Sequence, residues 1–214
     1  MSVIITRIEA QKKRKQRVSL FAGDRFILGV SLDTLTHFQI SPGTKLTDKQ
    51  LRELEHREKL VQLRDQAFRL LARRAHSRRE LRDKLRQRNY EAIMIDQLLD
   101  DFSDRNYIDD AQFAKIFMEE ELKLRYSGPA LIRSKLLQKG ILSDSIDTLL
   151  SEIYPVTLQL DNCRYLSRKK IKSWSAPPER KQILQLTGYL RSKGFSWDII
   201  QQATADLIEE NSDG

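Results

Sequence analysis

A hydrophobic pattern that returns about every fifty residues organises most of the chain. From about Thr47 onward the apolar positions follow helical spacing, and glycine and proline fall at only a few places. Three hexads in this region share one form: a leucine, two variable residues, a base, glycine or asparagine, and an apolar residue. They occupy residues 85–90, 136–141 and 190–195 and begin 51 and 54 residues apart. Three further apolar positions recur around each hexad: Leu81, Ile132 and Leu186; Ile95, Ile146 and Ile200; Phe102, Ile153 and Leu207. The pattern therefore predicts three structural repeats.

Each hexad predicts the junction of two helices. The leading leucine and the apolar residue one turn before it form the buried stripe of a short helix. Glycine or asparagine can then take the left-handed conformation that ends the helix, and the following apolar residue returns the chain to the core. Longer helices are predicted upstream of the hexads, at about residues 51–74, 110–125 and 155–172. Each repeat thus contains three helices.

Helix-start signals agree with this division. They are two capping boxes and three first-turn prolines: Ser77 with Glu80, Asp109 with Gln112, Pro129, and Pro177 with Pro178. We therefore predict a mainly α fold with three-helix repeats at residues 47–106, 107–154 and 155–214. Because each repeat is too small to bury much surface alone, the repeats should stack into an elongated curved array.

The first 46 residues differ and predict a small β-hairpin arm. VIITRIE, RVSLF and FILGV are typical of short strands, and a turn at AGDR separates the last two. The segment QKKRKQR joins the first two strands. Its cations include Lys12, Lys13, Arg14 and Lys15. A solvated hairpin loop and an anion-binding arm explain this segment equally well.

Charge narrows the class of partner. The 214-residue chain carries a formal net charge of +8 and has a pI near 9.6, which predicts attraction to nucleic acid, an anionic membrane or an acidic protein. No apolar run approaches the roughly 20 residues that span a bilayer, and the start lacks the pattern of a secretory signal, so we expect a cytoplasmic protein. The single cysteine, Cys163, excludes an internal disulfide and a cysteine-cluster metal site, and we expect it on a helix face as a small apolar residue.

Catalytic patterns are absent from the sequence. His37, His56 and His76 are isolated from other ligands at metal-binding spacing. The acidic pairs at residues 100–101 and 109–110 are better explained by helix ends, where carboxylates favour the dipole. Phosphate loops and nucleophile elbows do not occur. We expect neither enzymatic activity nor a cofactor.

A basic segment lies at the first repeat. Residues 71–89 contain eight bases and two carboxylates. On a helix that begins near Arg78, the two leucines of the buried stripe point inward and a ribbon of arginines lies beside them. The ribbon consists of Arg78, Arg79, Arg82 and Arg86, and Arg73 and Arg74 precede it. The alternative is a solvated face balanced by residues 91–121, which hold ten carboxylates and two bases.

A second basic group stands near the end of the third long helix. It consists of Arg168, Lys169, Lys170 and Lys172. Trp174 follows at once, and an exposed aromatic there could touch a partner.

These motifs together resemble the RecX family of regulatory proteins. The resemblance is carried by Ala67, Leu71, Arg74, Ser77, Glu80-Leu81 and Leu85, then Tyr107-Ile108-Asp109-Asp110-x-x-Phe113-Ala114, Gly128 and Leu136-x-x-Lys139-Gly140. It covers about residues 60–207 and is strongest in the first two repeats. Asn89 stands where the family usually has glycine, and the third repeat follows only the general pattern.

The resemblance implies a non-enzymatic negative regulator of the recombinase RecA. Members of the family lodge in the groove of the RecA filament on single-stranded DNA and restrain its growth, ATP hydrolysis, strand exchange and co-protease activity in the SOS response, and so act in DNA repair and homologous recombination. We therefore expect a monomer whose partners are the RecA filament and single-stranded DNA, with weaker duplex binding. Two alternatives stay open: an independent DNA-binding protein that uses a basic helical repeat, and a scaffold whose charge is merely solvated.

Overall fold

The computed structural model describes residues 2–12, 14–174 and 180–210. The chain divides into two compact units. The first contains the residues up to Arg74 together with Lys84–Leu98, and the second contains Ala75–Asp83 and the chain from Leu99 onward. The two units divide the first predicted repeat, residues 47–106, between them, and the four-domain division stays a prediction.

The N-terminal strands form two small antiparallel sheets in the first unit. The strands are β1 Ser2–Ile4, β2 Arg7–Gln11, β3 Arg14–Ala22, β4 Arg25–Ser31 and β5 Lys45–Thr47, with helix α1 at Leu32–His37 after β4. One sheet has the order β2-β3-β4, and β1 pairs with β5 in the other. The predicted first strand is divided, because the chain leaves one sheet for the other at Ile5, which is fully buried. The pattern missed β5, which is only three residues long.

These strands share a core with the helices that follow them. The core contains Ile5, Val18, Leu20, Val30, Ile40, Leu46 and Leu54, the last from helix α2 at Asp48–Leu71. The predicted arm is therefore a packed part of the first unit. The basic hairpin is also tighter than expected, since β2 ends at Gln11 and β3 begins at Arg14.

A buried ion pair joins the strands to α2. Arg17 of β3 donates to a side-chain oxygen of Glu58, and the exposed fractions of the two side chains are 12% and 2%. Glu58 also accepts a hydrogen bond of 2.9 Å from the Ser31 backbone N–H, while Arg17 donates one of 2.8 Å to the Gly29 carbonyl. Arg17, which the sequence placed in the basic loop, is therefore a structural residue.

Helices make up the rest of the described chain, which confirms the mainly α prediction. They are α3 Arg78–Arg86, α4 Ala92–Asp104, α5 Asp110–Glu120, α6 Pro129–Gln138, α7 Ser143–Ile153, α8 Val156–Ile171, α9 Arg180–Ser192 and α10 Trp197–Glu210. A π-helical turn, Glu121–Arg125, extends α5. The Asp109 side chain caps α5 by accepting hydrogen bonds of 2.8 and 3.0 Å from the N–H groups of Ala111 and Gln112. Pro177 and Pro178 lie outside the described residues.

The hexad turns have the predicted left-handed backbone. Their φ angles are 63° at Asn89, 86° at Gly140 and 91° at Gly194. Twelve of the fifteen repeated apolar positions are buried: Leu81, Leu85, Ile95, Phe102, Ile132, Leu136, Ile141, Ile146, Leu186, Leu190, Phe195 and Ile200. Tyr90 and Ile153 are half-buried, and the side chain of Leu207 lies outside the described residues. In the second unit the helices α5 to α7 and α8 to α10 each enclose their own apolar cluster, so local periodicity located both cores.

A joint between successive repeats recurs within the second unit. In the first instance, the Lys139 carbonyl accepts a hydrogen bond of 2.7 Å from the Ser77 side chain at the start of α3. Gly140 then faces Arg79 so closely that a Cβ on the glycine would lie 2.7 Å from the Arg79 Cβ. The turn after α6 thus closes directly on the start of α3.

The second instance uses the equivalent positions at α6 and α9. Gly128 donates a backbone hydrogen bond of 2.7 Å to the Lys193 carbonyl, and Ala130 donates one of 3.1 Å to the Gly194 carbonyl. A Cβ on Gly194 would lie 2.3 Å from the Leu131 nitrogen. Because that distance is far below contact distance, only glycine permits the joint.

The joint predicts opposite effects for two glycines of one helix-turn segment. We expect Gly194→Ala to lower the free energy of unfolding by at least about 2 kcal/mol, because a Cβ strains the left-handed backbone and displaces Leu131. Gly188→Ala is the matched control. A Cβ on Gly188, within α9, meets no atom within 4 Å, so alanine should stabilise the helix by up to about 1 kcal/mol. Urea unfolding followed by circular dichroism measures both changes, and equal effects would contradict the joint.

Candidate nucleic-acid interface

The arginines of the predicted ribbon differ in exposure. Arg73, Arg74, Arg79 and Arg86 are exposed, whereas Arg78 and Arg82 are half-buried. Arg79 lies at the joint described above, where its stem covers Gly140. The ribbon is therefore partly surface and partly structure.

Arg78 is held by the acidic segment that follows it. Its guanidinium donates a hydrogen bond of 2.6 Å to Asp100 and one of 3.2 Å to the Ser103 side chain. Its backbone N–H donates one of 2.7 Å to the Asp110 side chain. Asp100 and Asp110 thus fix the start of α3, and intramolecular pairing, the alternative noted for the ribbon, applies to this residue.

A cleft in the second unit contains cations that the sequence did not single out. Its volume is about 470 Å³, and its lining includes Phe117, Arg125, Lys135 and Lys139. Lys139, the base of the second hexad, pairs with Glu80 and lies 5.0 Å from the centre of the Phe117 ring. A base at this hexad position was the one signal that could have identified the cleft.

The other two cations of the cleft serve a buried carboxylate. Glu121 is fully buried and accepts hydrogen bonds from Arg125, from Ser127 at 2.7 Å and from Lys135 at 2.6 Å. Burial acts to raise the pKa of Glu121, but the hydrogen bonds from Lys135, Ser127 and Arg125 outweigh it and hold the pKa below its ordinary value. The cleft therefore has little uncompensated charge.

The basic group at the end of α8 is organised differently. Arg168, Lys169, Lys170 and Lys172 are all exposed. The Lys170 ammonium lies 5.8 Å from the centre of the Tyr189 ring on α9, and the Lys193 ammonium lies 5.5 Å from the same centre. Sequence reasoning missed Tyr189 and Lys193, because their proximity to α8 depends on how the helices of the third repeat pack.

Trp174 does not match its expected role. Its side chain is half-buried and packs against the apolar cluster of α8 to α10, so the expectation of an exposed aromatic there is wrong. Trp197, at the start of α10, is the tryptophan with a largely exposed side chain, at 54%.

The N-terminal cations are only partly described. Lys12 is exposed at the tip of the hairpin. Lys13 and the side chains of Arg14 and Lys15 lie outside the described part of the chain, and their predicted role stays a prediction.

The single cysteine of the sequence has a buried side chain. Burial raises the pKa of Cys163 to about 11, so the thiol is protonated at neutral pH, and the residue packs in the third repeat as expected. Over residues 2–12, 14–174 and 180–210, no group of three or more His, Cys, Asp or Glu side chains has an arrangement that could hold a metal ion. In the same ranges, none of the helices combines the length and the apolar character that crossing a membrane requires.

Comparison with known families matches three parts of the chain. The N-terminal domain of regulatory protein RecX matches residues 3–47, the first three-helix domain of RecX matches residues 64–102, and the third matches residues 158–204. The chain belongs to the RecX family. Membership extends to the N-terminal strands, so the resemblance over residues 60–207 was too short, and the third repeat has its own counterpart in RecX.

Individual RecX relatives align with nearly the whole chain. The regulatory protein RecX of Listeria welshimeri is 27% identical over 96% of this chain and 76% of the relative. That of Clostridium botulinum is 27% identical over 95% of this chain and 96% of the relative. A crystal structure of regulatory protein RecX has a TM-score of 0.70 at 23% identity and covers 98% of this chain and all of its own, which supports the RecX fold.

The Glu121 network predicts a pH dependence of stability. Because its folded pKa lies below the unfolded value of about 4.3, ionised Glu121 stabilises the fold above that pH, and this contribution is lost as pH falls through the folded pKa. We expect Glu121→Gln to be less stable at neutral pH and to lose less stability on acidification. Urea unfolding between about pH 3 and 7 measures this. Glu120→Gln, an exposed neighbour, is the control, and identical pH profiles for the two variants would contradict the role of Glu121.

Proposed function

We propose that this protein is a negative regulator of the recombinase RecA. It binds the RecA filament on single-stranded DNA and inhibits filament extension, ATP hydrolysis, strand exchange and co-protease activity. It acts in the cytoplasm as a monomer, without catalysis or a cofactor.

Membership in the RecX family carries this proposal. Three RecX domain models match, and relatives named regulatory protein RecX align over nearly the whole chain. The distribution of charge supports it as well. A filament of protein on nucleic acid presents charges of both signs, and a partner with basic and acidic segments can contact both.

The alternative is an independent DNA-binding protein. The basic group at the end of α8 favours it, because a surface that binds phosphate does not require RecA. The two functions differ in what they predict for RecA, since an independent DNA-binding protein acts on the filament only by competing for DNA.

RecA's DNA-dependent ATP hydrolysis on single-stranded DNA tests the proposal. We expect inhibition when the protein is present at far below one copy per RecA, because a filament regulator blocks many RecA subunits from one position. A competitor for DNA must instead cover the strand, so inhibition only at amounts that saturate the DNA would favour the alternative. No inhibition at equal amounts would contradict the proposal and leave a basic helical-repeat protein whose partner is DNA or another polyanion.

Two charge-matched variants show which surface acts on RecA. Arg73→Gln, Arg79→Gln and Arg86→Gln together remove two exposed cations of the ribbon and one that precedes it, and are expected to weaken inhibition. The control replaces three lysines that already pair with carboxylates. These are Lys49, Lys59 and Lys123, whose partners lie at 3.9, 3.6 and 3.4 Å. Equal inhibition by the two triple variants would remove the ribbon from the proposal.

A further inference from the structure

The third repeat contains a long segment that is almost free of carboxylates. Residues 162–197 hold nine bases and a single acidic residue, Glu179, which lies outside the described residues. Residues 91–121 have the opposite composition, with ten carboxylates and two bases. The positive charge of the third repeat therefore has few acidic neighbours along the chain.

An aromatic ring, rather than a carboxylate, holds two of these cations. Lys170 from α8 and Lys193 from the turn after α9 lie within 6 Å of the centre of the Tyr189 ring. A cation over a ring is attracted by the ring's quadrupole and keeps its net charge. A cation beside a carboxylate, such as Arg78 beside Asp100, is neutralised. Tyr189 thus orders two ammonium groups and leaves both charges available to an anion.

The spacing of these ammonium groups suits a chain of phosphates. Since they lie 5.8 and 5.5 Å from one ring centre, they cannot be more than about 11 Å apart. One strand of a duplex carries a charge about every 3.4 Å along its axis, so two ammonium groups within this limit can contact phosphates at most about three apart on one strand. Lys169 and Lys172, both exposed, extend the same charge along the end of α8.

Helix dipoles explain only part of this arrangement. Cations near the carboxyl end of α8 offset its dipole, which is worth about 0.3–1 kcal/mol and falls off within one turn. Lys193, directly after the carboxyl end of α9, can offset the dipole of α9 in the same way, but a dipole does not explain why Lys170 and Lys193 meet at one ring. Nor does a carboxylate pair with Lys169, Lys170, Lys172 or Lys193 among the residues that the structure describes.

We propose that Lys169, Lys170, Lys172 and Lys193, arranged around Tyr189, form a binding surface for the phosphodiester backbone of nucleic acid. We name it the third-repeat lysine surface. An acidic protein is a poorer fit, because interfaces between proteins combine charges with apolar cores, whereas this surface has one sign and closely spaced cations. Its role in regulation rests on the proposed function, but binding itself requires no RecA.

Salt-dependent binding of the full chain to fluorescently labelled oligothymidylate, measured by anisotropy without RecA, tests the surface. Lys170→Gln, Lys172→Gln and Lys193→Gln together should make the slope of log affinity against log salt shallower by about 2, since each single-strand phosphate contact contributes about 0.7. The control is Lys49→Gln, Lys59→Gln and Lys123→Gln, which lowers the net charge equally and should leave the slope near that of the wild type. Equal changes in the two variants would overturn the proposal, because net charge alone would then explain them.

A second variant tests the role of the ring. Tyr189→Leu keeps an apolar side chain against the core and changes no charge, so the number of phosphate contacts, and with it the salt slope, should persist. Affinity should fall several-fold, because the lysines must then be ordered at the moment of binding. Unchanged affinity would remove Tyr189 from the surface. Circular dichroism of each variant verifies that the helices remain folded.

Two further experiments are needed. The first compares single-stranded with duplex DNA, and the second distinguishes failure of the lysine surface from failure of the proposed RecA regulation. A labelled duplex of equal length shows whether the surface prefers a single strand, and a slope change with either form supports phosphodiester binding. No change with either form overturns it. The lysine variant is then added to RecA on single-stranded DNA. If the variant loses DNA binding but the wild type does not inhibit RecA, the lysine surface is supported and the proposed function is contradicted. If the wild type inhibits RecA but the variant binds DNA as the wild type does, the proposed function is supported and the lysine surface is contradicted.

Discussion

The closure of each turn on the start of an earlier helix is the constraint on which the second unit depends. In both instances a lysine carbonyl just before a glycine accepts a hydrogen bond from a helix start, from a Ser77 hydroxyl in one and from a Gly128 N–H in the other. Free N–H groups at a helix start need hydrogen-bond acceptors. At the start of α6 the carbonyls of Lys193 and Gly194 accept from such groups, and at the start of α3 the Lys139 carbonyl accepts from the Ser77 side chain. The joint therefore satisfies polar groups and sets the distance between repeats in the same contact.

This constraint explains which residues the hexads tolerate. Gly140 and Gly194 have no room for a Cβ, so their left-handed backbone and their close contact both require glycine. Asn89 has the same left-handed backbone but carries a side chain, which excludes a contact as close as the one at Gly194. Asparagine can end a helix in this conformation at modest cost. The substitution of asparagine for glycine thus marks a turn that needs the backbone geometry without the joint.

Local patterns predicted the features that local forces determine. The hexad turns, the capping role of Asp109 and the buried apolar positions follow from periodicity and backbone preference within a few residues. The pairing of Arg78 with Asp100 joins two helices, and Arg17 reaches Glu58 across 41 residues of chain, so neither appears in a helical wheel. The cluster at Tyr189 escaped for the same reason. Lys170 comes from α8, whereas Tyr189 and Lys193 come from α9 and the turn after it, and only the packing of the two helices brings Lys170 to the ring.

The ways in which this chain holds its cations decide where its positive charge can act. Arg17, Lys135 and Arg125 face buried carboxylates, which would be costly to leave unpaired, so those cations stabilise the fold. Arg78 is neutralised at the surface by Asp100. Lys170 and Lys193 are ordered by a neutral ring. A formal net charge of +8 counts all of these alike, yet only cations ordered without neutralisation offer a polyanion both preorganised geometry and full charge. Most of the attraction for a polyanion should therefore come from a small subset of the basic residues. The group nearest to each cation identifies that subset better than the segregation of charge along the sequence does.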